Sequence, residues 1–217
     1  MNNKTNTKKD AHKLLAFIQF SVLLAIEIIL CFTPLGTLPA LGPLSATLSH
    51  VPVIVTAVVM GPWWGSLMGF AFGACSFIYW TFVAPGAFSF IYTPFYSLDG
   101  SFGNPASLLI CFLPRILIGF VAGMLFKKLK ETKLGEHGGA ILAGLCGSLT
   151  NTLLVLGGIW LFFSSEYRAL VGAEKAIYAI LGLTVLTNGI PEAVIGALVA
   201  SFVAVPVARA VNKHFRR

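Results

Sequence analysis

The chain has 217 residues, 57% hydrophobic and only 11% charged, whereas a soluble domain carries roughly 25% charged residues. So few charges cannot coat a globular surface, which excludes an ordinary soluble domain and makes lipid the solvent of most side chains. The net charge of +7 would suit nucleic acid if it formed a binding face, but the cations cluster at Lys4–Lys13, Lys127–Lys133 and Arg209–Arg217. Each cluster flanks an apolar run, as the positive-inside rule requires, and no nucleic-acid partner is expected.

Glycine, proline and charge divide the chain into a basic leader (1–13), a membrane domain (14–211) and a basic tail (212–217). The first apolar run, Leu14–Phe32, follows a basic start as a signal peptide would. It is too long for a typical h-region and lacks an A-x-A-like end, so it reads as a retained helix. The further predicted spans are Ser45–Met60, which is short, then Pro62–Phe82, Pro105–Phe126, Gly138–Phe163 and Ala176–Val211. The last is long and interrupted by Asn188-Gly189-Ile190-Pro191, where a lead-in helix would give way to one starting near Pro191. The predicted fold is therefore all-α, a polytopic bundle of six transmembrane helices in the cell membrane.

Six crossings return the chain to its starting side, so both termini and the Lys127–Lys133 break are placed in the cytoplasm. Thr33–Leu44, Val83–Asn104 and Ser164–Lys175 then lie outside. The second of these carries Phe88, Phe90, Tyr92, Phe95, Tyr96 and Phe102. Such a loop is either a lid with its own apolar anchors or a set of aromatics resting on headgroups.

A charge at mid-membrane costs about 2.5–3.5 kcal/mol on insertion scales, so Glu27, Arg115, Glu192 and the nearby His50 each need an explanation. At ~1.5 Å per residue, Arg115 lies about 16 Å from Phe126, His50 about 15 Å from Met60, Asn151 about 20 Å from Gly138 and Glu192 about 24 Å from Ala208. Four helices thus place polar groups between mid-depth and the outer half. One reading is a pocket open to the outside, with Arg115 gripping a carboxylate by paired hydrogen bonds and Glu192, Asn151 and Asn188 completing it. The other is an internal Arg115–Glu192 ion pair that only holds helices together. His50 is either a ligand contact or a partner for a carbonyl freed by Pro52. Glu27 is open to a partner subunit, the pocket or the outer interface.

Small residues recur at four-residue spacing: Ser21/Ala25, Gly65/Gly69/Gly73 and Gly119/Gly123. Such steps allow backbones to approach closely, and one exposed pair would suit a partner helix. Cys31, Cys75, Cys111 and Cys146 sit in apolar stretches without metal spacing. No P-loop, H-E-x-x-H or G-x-S-x-G occurs, so neither ATP hydrolysis nor a cofactor or catalytic set is expected in this chain.

The segments Leu41-Gly42-Pro43-Leu44 and Ser49-His50-Val51-Pro52-Val53-Ile54 are followed by Gly61-Pro62-Trp63-Trp64-Gly65, Gly69-Phe70-Ala71-Phe72-Gly73 and Pro114-Arg115-Ile116-Leu117-Ile118-Gly119. With the Asn151-Thr152 and Glu192 neighbourhoods, this order resembles the S components of energy-coupling factor (ECF) transporters over about Leu14–Val211. The likeness runs most closely to pantothenate-type members. It implies a six-helix subunit that captures one vitamin from outside and works with a transmembrane coupling subunit and two cytoplasmic ATPases. It also implies a docking face on the first helix, where Ser21-x-x-x-Ala25 stands in place of the usual A-x-x-x-A. The alternative is a stand-alone carrier of a small organic anion, with Glu27 or Glu192 carrying a coupling proton.

Overall fold

A computed structural model describes residues 2–36, 47–98, 103–171 and 177–215. Among them there are nine α-helices: α1 Asn2–Phe32, α2 Val51–Met60, α3 Pro62–Ile78, α4 Ala106–Leu129, α5 Gly135–Phe162, α6 Ser164–Val171, α7 Ile177–Thr184, α8 Ile190–Val199 and α9 Val205–Phe215. Three π turns, Tyr79–Val83, Val185–Gly189 and Ala200–Ala204, extend α3 and join α7, α8 and α9 into one rod. Five stretches are long and apolar enough to cross a bilayer: Lys13–Phe32, Pro62–Val83, Ala106–Leu129, Gly135–Phe162 and Ala179–Val211. The chain is a multi-pass, all-helical membrane protein.

Each π turn ends two residues before a proline, with one residue between: Ala84 precedes Pro85, Ile190 precedes Pro191 and Val205 precedes Pro206. A proline has no N–H and its ring collides with the carbonyl four residues back. Here the helix widens just ahead of it, with Ala84, Ile190 and Val205 donating to carbonyls five residues earlier. The sequence predicted an interruption at 188–191, and the chain instead stays helical through a π turn, with Pro191 in the first turn of α8.

The predicted second span also begins later. Ser45 and Ala46 lie outside the described residues, and Thr47–His50 are non-helical, with Ser49 and His50 in a turn, before α2 starts at Val51. Pro52 in the first helical turn explains that start. A single residue, Gly61, links α2 to α3 at φ 99°, a backbone region closed to most side chains.

Lipid supplies no hydrophobic drive between helices, so packing depends on close approach. α3 and α4 meet through glycines on both sides. A Cβ on Gly65 would come within 2.9 Å of the Gly119 carbonyl oxygen, and one on Gly69 would strike the backbone of Arg115. The steps Gly65/Gly69/Gly73 and Gly119/Gly123 are therefore internal packing. Gly144 and Gly196 bring α5 and α8 together in the same way.

Helix α1 lies at the edge. Phe20 meets Trp64 at 5.4 Å and Phe32 meets Tyr79 at 6.2 Å between ring centroids. Ser21 and Ala25 are exposed on its outer face, beside Ile18 and Val22. Glu27, by contrast, is fully buried.

The loop after α3 folds inward. Phe90, Ile91 and Tyr92 are buried with Phe163 and Tyr167, while Phe95 and Tyr96 stay exposed. These buried rings anchor the loop in the bundle instead of resting on headgroups. Phe102 and Lys175 lie outside the described residues, as do residues 37–46 of the first predicted outer loop. The predicted outer segment Ser164–Lys175 carries helix α6.

Candidate functional site

The buried apolar residues form two clusters that do not merge. One holds Val53–Val55, Met68, Phe72, Ile118, Ala143 and Ala200. The other holds Phe90, Tyr92, Ile110, Cys111, Val155 and Phe163. Polar residues fall between them on each helix. Along α4, Arg115 separates Cys111 from Ile118; along α5, Ser148 and Thr152 separate Ala143 from Val155. Asn188 and Glu192 hold the same place between Val185 and Ala200, and His50 sits just ahead of Val53.

The local chemistry of Arg115 begins with its neighbour. Pro114 lies inside α4 and cannot donate to the Ile110 carbonyl. Arg115 Nη1 donates to that oxygen at 2.7 Å instead. The guanidinium lies 5.4 Å from the Phe72 ring centre and 5.1 Å from that of Tyr92, a cation–π setting suited to a desolvated cation. Its Nε is buried without a hydrogen-bond partner.

Glu192 is buried and its Oε1 accepts from the Thr47 backbone N–H at 2.6 Å. Arg115 and Glu192 form no ion pair; among the described residues the one pair is Arg209–Glu136. The carboxyl nevertheless lies within electrostatic reach of both His50 and Arg115. His50 Nε2 faces the Glu192 carbonyl oxygen at 3.1 Å, and Ser148 Oγ donates to the same oxygen at 3.4 Å. A carbonyl only accepts, so this geometry assigns the proton to Nε2. His50 Nδ1 is then left as a buried acceptor without a partner.

Asn188 is buried in the π turn, next to Gly189, whose missing Cβ makes room for Thr152 of α5. Asn151 is half-buried, and its Oδ1 has no partner. The structure thus links His50 directly to Glu192 and sets Arg115 near them, with Asn151 and Asn188 at the same level of the bundle. Sequence reasoning missed Phe72, Tyr92, Thr47 and Ser148. Tyr92 was visible only as one loop aromatic among six, and no sequence signal ties either ring to Arg115.

A buried polar group without a partner costs about 1–3 kcal/mol, and native interiors hold few of them. This layer contains a free donor on Arg115 and free acceptors on His50 and Asn151. The arrangement offers one donor and two acceptors to a small polar molecule. No group of three or more His, Cys, Asp or Glu among the described residues could hold a metal.

Apolar layers above and below, a polar layer between them and a helical bundle that closes on glycines define a membrane subunit that binds a solute. Residues 16–208 match the family described as ECF transporter, substrate-specific component, and the chain belongs to that family. It is 33% identical over 171 residues to the pantothenic acid transporter PanT of Lactococcus lactis subsp. cremoris (strain MG1363), covering 78% of this chain and 81% of the relative. The crystal structure of the biotin S-component from an ECF-type ABC transporter superposes with a TM-score of 0.57. At 22% identity, covering 98% of this chain and 95% of that one, the likeness shows a shared fold.

Proposed function

We propose that this S component captures pantothenate from outside the cell, using His50, Arg115, Asn151, Asn188 and Glu192. The observation that carries the reading is the layer of unfilled donors and acceptors between the two apolar clusters. Pantothenate offers a carboxylate for the free Arg115 donor. Its amide N–H and hydroxyls suit the acceptors on His50 and Asn151. The pantothenic acid transporter among its relatives supports the same choice.

In this reading α2 is a sixth, short crossing, and both termini are cytoplasmic. The exposed Ser21/Ala25 face of α1 docks the coupling subunit, which works with two cytoplasmic ATPases. Titration of the purified protein with pantothenate in a calorimeter tests the site. Arg115→Ala is expected to weaken binding about 100-fold, as loss of a charged hydrogen bond worth about 1.5–3 kcal/mol would, while the protein still inserts. Unchanged affinity would remove Arg115 from the site.

One observation favours a second reading, a proton-coupled carrier: Glu27 is fully buried and its Oε2 lacks a partner. The lone chain in liposomes under a pH gradient separates the two. Accumulation of pantothenate without partners would establish the carrier and overturn the S-component mechanism.

A further inference from the structure

At the end of the bundle away from the polar layer, a cavity of about 290 Å³ opens between α2, α3, α4, α5 and α9. Its wall carries Lys127, Lys130 and Arg209 against a single acid, Glu136, an excess of two positive charges (three cations less one acid). Glu136 Oε2 pairs with Arg209 Nε at 2.5 Å, which leaves both lysines without an acid in the wall. The cavity lies where four apolar spans have their ends, at Pro62, Leu129, Gly135 and Val211. That is the height of lipid headgroups. Beside it, Trp63 is 79% exposed and packs edge-on against Phe120 at 6.2 Å, an aromatic pair of the kind that rests at a membrane interface.

We propose that this cavity binds the phosphodiester headgroup of an anionic phospholipid. Basic pockets between membrane helices take such headgroups, and here Lys127, Lys130 and Arg209 are exposed at headgroup height, where a lipid can reach them. The inference is independent of the substrate captured at the polar layer, since no residue is shared between the two sites.

Native mass spectrometry of the full chain, titrated with phosphatidylglycerol or phosphatidylcholine, reads the site. The wild type is expected to retain phosphatidylglycerol in preference. The double variant Lys127→Gln/Lys130→Gln should lose that preference about thirtyfold, from two basic contacts near the surface. Lys128→Gln/Lys133→Gln removes the same charge from exposed positions outside the cavity wall and should leave retention unchanged. Glu136→Gln removes the acid and should strengthen retention. Equal losses in the two lysine pairs, or full retention without Lys127 and Lys130, would overturn the site. Displacement by millimolar inorganic phosphate would also overturn it, by assigning the cavity to a free anion.

Discussion

Arg115 draws its position from a defect in its own helix. Pro114 strips one carbonyl of its partner, and the guanidinium turns back to fill the gap. The Phe72 and Tyr92 rings then hold the cation in place, and its Nε has no hydrogen-bond partner. Arg115→Lys keeps the charge but loses the planar fork, so pantothenate affinity should fall in calorimetry nearly as far as with alanine. Tyr92→Leu keeps apolar volume while removing half of the cation–π setting. It is expected to weaken binding by a few-fold, in line with about 0.5–2 kcal/mol for such contacts. That Arg115 needs partners inside the bundle was legible from the sequence, because a charge inside an apolar run demands a reason. Its ring partners were not legible, since they come from α3 and from a loop whose inward fold only tertiary packing fixes.

At the scale of elements, prolines set the shape of the helices. Three of them each follow a π turn, and the one in the last rod that precedes Pro191 carries Asn188 into the buried layer. A π turn holds one residue more than the α-helix it interrupts, and one residue is about 100° of rotation. Pro191→Ala allows the turn to relax into α-helix and to swing Asn188 off the layer. Pantothenate affinity should drop about tenfold, which is 1.4 kcal/mol, whereas Pro206→Ala, next to a turn outside that layer, should leave affinity unchanged. The proline at 191 announced a disturbance in the sequence. Whether a helix answers by breaking or by widening depends on what packs around it, and here α5 packs against the turn, with Thr152 beside Gly189. The glycine steps were legible as close approaches, but which helix they faced was not. Gly69→Val should lower the melting temperature in detergent and weaken binding together, because the added methyls push on the backbone of Arg115 itself.

The whole molecule divides its labour between the interior and the rim. The bundle from α2 to α9 builds the polar layer, and α1 stands outside with Ser21 and Ala25 facing away from it. Enlarging that face, as in Ala25→Trp, should abolish co-purification with the coupling subunit while leaving pantothenate binding intact. Loss of both would place Ala25 inside the fold instead. Helix α2 has a different consequence. Its ten residues rise only about 15 Å, half of a hydrocarbon core near 30 Å, and its upper end is the non-helical backbone of Thr47–His50. Non-helical backbone survives at such depth only when protein or trapped water surrounds it. This short column should therefore carry its own exchange boundary: amide deuterium uptake fast at Ser49, slow at Leu48, whose N–H donates to the Gly36 carbonyl oxygen at 2.8 Å, slow again from Val53 to Val58, and slowed at Ser49 once solute is bound.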